Sequence, residues 1–164
     1  MLAVLAAICA ARLAAEPIAR PGAKAPNVTL RTLDGKTVAL RSLRGKVVLL
    51  DFWATWCGTC WSAIPTLNAF QAKYAKQDFT VIGVSVDDAQ TVATVPTFTR
   101  SHVVTYPIAV AANGNAPVVR SFGVKSFPTM ILIDKRGVIR WSEDDFDPTH
   151  ADLLRKLIEK LTRQ

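Results

Sequence analysis

The sequence predicts an α/β domain that combines parallel and antiparallel strands. Two apolar runs, Val47–Phe52 and Phe79–Val86, are typical of buried strands, and a segment with helical periodicity separates them. A strand, a helix and a second strand in this order favour a right-handed crossover with parallel strands. The apolar run 129–134, the turn 135–137 and the run 138–141 predict an antiparallel hairpin near the C-terminus.

Length and composition fit one globular domain. The chain has 164 residues, of which 50% are hydrophobic and 20% charged, so it is long enough to bury its own core. The net charge of +7 is spread along the chain, and no basic block is interleaved with aromatic residues. This distribution argues against nucleic-acid binding. It favours a solvated surface, or attraction to an anionic membrane or an acidic partner.

The N-terminal segment predicts export. Residues 2–11 are apolar and match the core of a secretory signal, but they are too few to span a bilayer in the usual way. The basic stretch that normally precedes such a core is missing. We therefore expect residues 1–15 to be a signal peptide, or alternatively an uncleaved membrane anchor. Cys9 is expected to leave with the signal, because the bulky Ile8 before it does not suit a lipid-attachment site.

The domain is expected to span residues 26–164, after an extended lead-in over residues 16–25 that is rich in proline and glycine. Its first element is a hairpin over residues 27–40, because alternating apolar residues flank the turn signal Asp34-Gly35. The helix between the two core strands is expected to run to about Lys76, with a kink at its internal proline, Pro65. Its apolar face would consist of Ile64, Leu67, Phe70 and Tyr74.

The second half of the chain alternates shorter elements. Residues 89–104 are expected to be helical with a break at Pro96, and residues 106–110 to form a short strand. A helix is expected to start near Asn115 and to end at Phe122. The final amphipathic helix opens at Asp147-Pro148-Thr149, and its predicted buried face consists of Leu153, Leu154, Leu157, Ile158 and Leu161.

The pair Cys57 and Cys60 lies where the first core strand ends and the helix begins. A thiol at a helix N-terminus has a lowered pKa, because unpaired backbone N–H groups and the helix dipole favour the thiolate. We therefore expect Cys57 to be ionised and reachable. Cys60 follows one helical turn later, where it can attack a mixed disulfide formed at Cys57. This spacing favours reversible dithiol–disulfide exchange.

Other uses of the cysteines are less well supported. A structural disulfide that closes so short a loop adds little stability. A zinc site needs four ligands, but no second cysteine pair or histidine pair accompanies this one, and His102 and His150 are expected to be isolated surface residues. We therefore expect no metal and no cofactor beyond the redox-active Cys57–Cys60 disulfide.

The chain resembles the thioredoxin superfamily in two motifs. They are Trp53-Ala-Thr-Trp-Cys-Gly-Thr-Cys60 and, before a later strand, Phe127-Pro128-Thr129. The leading hairpin and the extra segment between about residues 88 and 112 are similar to its exported TlpA/ResA branch. The resemblance covers roughly residues 26–161. It implies a thioredoxin-like fold: a central mixed sheet flanked by helices, an N-terminal β-hairpin, an inserted segment between core strands, and a cis proline at Pro128 packed against the cysteines.

The resemblance also implies roles for individual residues. The backbone of Phe127, before Pro128, would pair briefly with a substrate chain as an added strand. Trp56, Gly58 and Thr59 are expected to complete this substrate-binding surface. Asp51 interrupts an apolar strand, and burial there would raise its pKa. In the family, an acid at the matching place assists proton transfer at the second cysteine, so Asp51 is expected to be the general acid/base for Cys60. The alternative is an inert, hydrogen-bonded carboxylate at the sheet end.

The sequence departs from the family pattern at two places. Ala63 stands where many TlpA/ResA-like proteins carry a glutamate, so redox tuning credited to that glutamate does not carry over. Gly58-Thr59 stands between the cysteines where thioredoxin has Gly-Pro, and such changes shift the balance between thiolate and disulfide.

The function that follows is protein thiol–disulfide exchange at Cys57 and Cys60. The resemblance implies a monomeric reductant of the bacterial periplasm or cell envelope, resupplied by a membrane or periplasmic thiol donor, with cytochrome c maturation as one candidate task. Two alternatives stay open. One is a non-catalytic, thioredoxin-like binding module. The other is a peroxiredoxin-like peroxidase, although no cysteine follows Val95-Pro96-Thr97 in the pattern that those enzymes use.

Overall fold

The computed structural model describes residues 19–111 and 117–164. The expected signal peptide or anchor, Cys9 and the expected helix start near Asn115 lie outside these residues. No helix in the described ranges has the length and apolar character needed to cross a membrane.

Seven strands in the described ranges form two sheets. A small antiparallel hairpin consists of β1 (Thr29–Arg31) and β2 (Thr37–Ala39). The central sheet has the order β5-β4-β3-β6-β7. Its strands are β3 (Val47–Trp53), β4 (Phe79–Ser85), β5 (Ile108–Val110), β6 (Thr129–Ile133) and β7 (Ile139–Asp144). The pairs β3–β4 and β4–β5 are parallel, whereas β3–β6 and β6–β7 are antiparallel. This arrangement confirms the predicted mixed sheet and the leading hairpin.

Four α-helices accompany the central sheet in the described residues: α1 (Gly58–Tyr74), α2 (Val95–Ser101), α3 (Pro117–Ser121) and α4 (Ala151–Thr162). Short 3-10 turns adjoin these helices at Ala75–Gln77, Val92–Thr94 and Pro148–His150, and another lies between β2 and β3 at Leu40–Leu43. Strand β3 lies at the centre of the sheet, and all seven of its residues are buried. The end of β3 leads directly into the cysteine motif, so the best-anchored strand of the domain positions it.

Helix α1 buries the predicted face. Ile64, Leu67, Phe70 and Tyr74 are all buried. The helix continues through Pro65 without a break, and the kink expected there stays a prediction. Ile64 and Leu67 anchor the helix in the core on both sides of the proline, which keeps the chain helical where one backbone donor is missing.

The segment after β4 is less helical than expected. Its α-helix is limited to α2, after a 3-10 turn at Val92–Thr94, and does not extend over residues 89–104. The expected break at Pro96 is wrong, because Pro96 lies in the first turn of α2. This position suits proline because the first backbone N–H groups of a helix have no partner within it.

The C-terminal helix starts as predicted, but its buried face is narrower. The Asp147 side chain accepts a hydrogen bond from the Thr149 N–H at 2.8 Å and begins the 3-10 turn before α4. A single row of residues is buried, namely Leu154, Ile158, Leu161 and Thr162, with Leu157 partly buried. Leu153 is 48% exposed, contrary to prediction, because it lies one residue, or 100°, to the side of this row.

The described part of the lead-in turns at residues 21–23 and covers the outer edge of β7. The Gly22 N–H donates to the Ile139 carbonyl at 2.8 Å, and the Ile139 N–H donates to the Ala23 carbonyl at 2.8 Å. Pairing of this kind removes an exposed sheet edge that would otherwise invite association with other chains. The boundary at residue 26 stays a prediction, although the described part of the lead-in is bonded to the sheet.

Candidate active site

Cys57 is the N-cap residue of α1, as its place in the sequence predicts. The backbone N–H of Cys60 donates to Cys57 Sγ at a distance of 3.3 Å, and the Thr59 hydroxyl lies 3.5 Å from the same sulfur. Cys57 and Cys60 are joined by a disulfide in this structure. The sulfur of Cys57 therefore lies where a helix N-terminus stabilises negative charge after reduction.

The two cysteines differ in exposure. Cys57 is 7% exposed and Cys60 is 3% exposed. Cys57 is therefore more buried than expected for a reachable nucleophile. Its neighbours Trp56, Gly58 and Thr59 are exposed, however, and Trp56 reaches 58%. An incoming sulfur would therefore meet Cys57 before Cys60.

The Phe127–Pro128 peptide bond is cis, as the resemblance implies. Pro128 is buried, and Phe127 is partly buried beside Trp56, with 6.0 Å between their ring centroids in an edge-on arrangement. Thr129, the next residue, pairs with Phe52 near the end of β3. The structure thus brings Trp56, Phe127 and Pro128 to the end of the sheet that carries the cysteines.

Asp51 is buried in β3, with 2% of the residue exposed. It lies between Gly83 of β4 and Met130 of β6, and its Oδ1 atom has no hydrogen-bond partner among the described residues. Burial raises the pKa of this carboxyl to about 7. A group with such a pKa exchanges a proton readily at neutral pH. Its catalytic role stays a prediction, but in the described part of the chain Oδ1 lacks the hydrogen bond that the alternative of an inert, hydrogen-bonded carboxylate would give it.

Asp87 is a site residue that sequence reasoning missed. It is fully buried just after β4. Its carboxylate accepts hydrogen bonds from the Thr55 N–H at 3.1 Å, from the Thr55 hydroxyl at 2.5 Å and from the Ser85 hydroxyl at 2.8 Å. It therefore anchors the turn that precedes Cys57. The available signal was an acidic residue directly after a parallel core strand, since such strand ends meet at one edge of the sheet.

The histidines are not isolated, contrary to expectation. His102 stacks on Phe98, with 3.8 Å between ring centroids, and contacts Trp61 at 5.4 Å. His150 pairs with Glu143. The stacking of His102 on Phe98 forms because His102, the C-cap residue of α2, lies four residues after Phe98. Within the described ranges, no group of three or more histidine, cysteine or acidic residues is arranged to hold a metal ion.

A model of the Redoxin family matches residues 20–157, which is most of the chain. The chain belongs to the Redoxin family. This Redoxin chain is 33% identical over 118 residues to the thiol-disulfide oxidoreductase ResA of Bacillus anthracis, a match that covers 72% of this chain and 66% of the relative. It is 34% identical over 120 residues to the thioredoxin-like protein YneN of Bacillus subtilis, covering 73% of this chain and 68% of that one.

Solved structures agree with this assignment. A thiol:disulfide interchange protein DsbE from Chlorobium tepidum, described as putative, superposes with a TM-score of 0.79 at 32% identity, over 87% of this chain and 98% of that chain. A protein disulfide isomerase from Bacteroides thetaiotaomicron, also described as putative, gives a TM-score of 0.77 at 30% identity, over 88% and 91%. The resemblance to the TlpA/ResA branch of the thioredoxin superfamily is therefore confirmed. The Redoxin chain spans 66% of the length of the ResA proteins it matches.

Proposed function

We propose that this protein is a thiol–disulfide oxidoreductase that exchanges electrons between its Cys57–Cys60 pair and the cysteines of partner proteins. The observation that carries the proposal is the place of Cys57 Sγ at the N-terminus of α1, 3.3 Å from the Cys60 N–H, with Cys60 close enough to form the disulfide. The names of the ResA relatives and of the DsbE neighbour support this reaction class.

The reaction begins with the reduced protein. The Cys57 thiolate attacks one sulfur of the partner's disulfide, and the partner's other sulfur leaves as a thiolate and takes up a proton. Cys60 then loses its proton and attacks Cys57 Sγ, which forms the Cys57–Cys60 disulfide and releases the partner's second thiol. Two electrons pass to the partner, and another thiol donor must return them.

Asp51 is the proposed general acid/base for Cys60. The attack of Cys60 needs its proton to be removed inside the protein, and Asp51 is a buried carboxyl whose pKa, raised by burial to about 7, suits that step at neutral pH. Asp51→Asn should slow disulfide exchange and remove the dependence of the rate on a group with this pKa. An unchanged rate and pH profile would exclude the role.

The partner would bind at the exposed surface around Cys57. Trp56, Gly58 and Thr59 flank the sulfur, and Phe127 packs edge-on against Trp56. The backbone of Phe127, before Pro128, would pair with an extended segment of the partner in the manner of an added strand. Main-chain pairing tolerates many sequences, which suits an enzyme that meets different clients.

The proposed setting is the bacterial cell envelope, with the protein acting as a monomeric reductant supplied by a membrane or periplasmic thiol donor. The apolar segment at residues 2–11 and membership of the TlpA/ResA-like branch support export, with the N-terminus as a signal or membrane anchor. Reduction of an apocytochrome before haem attachment is one task of this kind. Reducing proteins are needed there because the surroundings favour disulfides.

Insulin reduction by the pre-reduced protein tests the reaction directly. We expect turnover in the presence of a thiol donor, loss of turnover in Cys57→Ser, and accumulation of a mixed disulfide in Cys60→Ser. A normal thiol titre without turnover would instead support a binding module. The midpoint potential of the Cys57–Cys60 couple, measured in the same samples, separates a reductant from an oxidant.

A further inference from the structure

Two buried polar atoms lie on one face of β3 without a hydrogen-bond partner in the described part of the chain. They are Asp51 Oδ1 and Trp53 Nε1. Residues two apart on a strand point to the same face of the sheet, so both atoms belong to one region. Buried polar atoms in native proteins are nearly always satisfied by protein or by an internal water. This pair therefore indicates a site for a small polar molecule.

Gly83 allows the side chains around this region to pack closely against the sheet. It lies directly across from Asp51 in the parallel pair β3–β4. A Cβ atom on Gly83 would be 2.9 Å from Trp53 Nε1 and 3.1 Å from Tyr106 Cε2. The indole N–H and the edge of the Tyr106 ring thus converge over the glycine, beside the carboxyl group of Asp51.

Tyr106 lies between this region and a groove on the surface. The residue is only 5% exposed, but it lines a groove of about 410 Å³ between the hairpin loop and the segment 99–108. Burial, and secondarily the charge of Asp51, raise the pKa of Tyr106 above its usual range. Its hydroxyl therefore stays protonated at physiological pH and is able to donate one hydrogen bond while it accepts another.

The partner would cover a different surface from the groove beside Tyr106. A bound partner would close the region of Trp56 and Phe127, and with it the direct route from the cysteines to solvent. The groove beside Tyr106 is lined instead by the hairpin loop, including Thr32 and Lys36, and by residues after α2. A proton taken from Cys60 would need such a second exit while the mixed disulfide exists.

We propose that Tyr106 and one internal water, held between the Asp51 carboxyl and the Trp53 indole N–H, connect Asp51 to solvent through this groove. This inference rests on the proposed function, because Asp51 must first accept the proton of Cys60. Asp51 then gives that proton to the water, the water passes one to the Tyr106 hydroxyl, and the hydroxyl releases its own proton to the groove. No group in the relay gains or loses a proton overall.

The ionisable surroundings of Asp51 are simple. Burial is the cause of its raised pKa, and no charged side chain in the described residues adds to it. Tyr106 is the titratable neighbour whose pKa responds to the Asp51 charge, and Cys57 and Cys60 join them once the disulfide is reduced. A change in the pH profile of the resolving step is therefore assignable to these four residues.

The test is Tyr106→Phe, which removes the hydroxyl and keeps the ring. We expect the resolution of the mixed disulfide, measured by rapid mixing with a chromogenic disulfide, to slow by at least about tenfold at pH 7. Small buffers such as imidazole should restore the rate in proportion to their concentration. The ionisation of Cys57, followed by alkylation against pH, should not change. Tyr74→Phe is the matched control, because Tyr74 is the chain's other tyrosine and its hydroxyl binds Glu159 instead.

Gly83→Ala combined with Ile108→Val is a second variant, in which the new methyl group would lie 2.9 Å from Trp53 Nε1 and displace the indole N–H from the proposed water. The valine removes Ile108 Cδ1, which would lie 2.6 Å from the new methyl group. We expect the same loss of rate and the same rescue by buffer. Wild-type rates in both variants, with Asp51→Asn still slow, would overturn the relay and leave the proposed function intact. Failure of the wild-type protein to reduce any disulfide would instead reject the proposed function.

Discussion

The carboxylate of Asp87 accepts hydrogen bonds from both the backbone N–H and the hydroxyl of Thr55, at 3.1 Å and 2.5 Å. Thr55 lies two residues before Cys57, whereas Asp87 follows β4, 32 residues further along the chain. The Ser85 hydroxyl holds the same carboxylate from the other side at 2.8 Å. The position of the nucleophile therefore depends on a buried acid that belongs to the neighbouring strand.

Asp87→Asn should lower both stability and activity. The amide keeps the shape but replaces one acceptor oxygen with a donor, which faces groups that already donate. We expect a loss of about 1–3 kcal/mol in the free energy of unfolding, measured by urea denaturation, and slower disulfide exchange. Asp88→Asn is the matched control, because that neighbouring carboxylate is exposed. Equal effects of the two substitutions would show that the Thr55 contact has no special importance.

The contrast between Asp51 and Asp87 shows what the sequence could predict. Asp51 was identifiable because it interrupts an apolar run, which signals a buried charge from local pattern alone. Asp87 follows an ordinary strand, and its importance arises only when β4 pairs with β3 and their ends meet. That register is set by packing between distant segments. The cysteine pair was also predictable from local pattern, because it lies where a strand ends and a helix begins.

His102 and Leu153 were misjudged for a related reason. Phe98 and His102 are four residues apart inside the expected helix, a spacing that allows contact, but the sequence does not show that this side of the segment packs against Trp61. Leu153 is apolar and sits beside a buried row of leucines, so sequence pattern alone does not separate it from them. The neighbours that cover one side of a helix are decided by the tertiary fold.

Asp51 should make the oxidised protein less stable as the pH rises. Its pKa is about 7 in the folded state, against an ordinary value of 3.8. Between these values the folded protein holds one more proton than the unfolded chain, so the free energy of unfolding falls with rising pH and levels off above pH 7. Three pH units correspond to about 4 kcal/mol.

Comparison with Asp51→Asn isolates this effect from that of other carboxyl groups. Glu159, for example, has a lowered pKa because Tyr74 and Lys73 hydrogen-bond to it. Its contribution to the free energy of unfolding is therefore lost in the opposite direction, as the pH falls. We expect the free energy of unfolding of Asp51→Asn, measured by urea denaturation relative to that of the wild type, to increase from pH 4 to pH 7 and then to stay constant. A difference that does not change with pH would show that Asp51 has an ordinary pKa.

Trp56→Ala should weaken partner binding more than it weakens the fold. The side chain is 58% exposed and packs edge-on against Phe127, so its removal exposes little core. We expect the KM for a protein disulfide to rise about tenfold, as for an aromatic residue at an interface, with little change in kcat or in Tm. Trp61→Ala is the control, since Trp61 is 41% exposed but packs on Phe98 and His102 instead. A KM that responds equally to both would place the partner elsewhere.

Val103→Asn should stabilise the protein. Val103 has φ = 52°, in the left-handed region that β-branched residues rarely adopt, and the residue is 67% exposed. Asn68 holds this turn by donating to the Val103 carbonyl at 2.8 Å and accepting from the Thr105 N–H at 2.9 Å. Asparagine tolerates the left-handed region better, so the free energy of unfolding should rise by about 1 kcal/mol.

Asn68→Ala provides the opposite test of the same turn. It removes the contacts that force Val103 into this conformation. We therefore expect it to lower the free energy of unfolding in the wild-type background, and to lower it by less in the Val103→Asn background. The reason is that asparagine at position 103 adopts the turn with less help, whereas valine depends on the Asn68 contacts to stay there. Additive effects of the two substitutions in urea denaturation would mean that Asn68 does not hold Val103 in place.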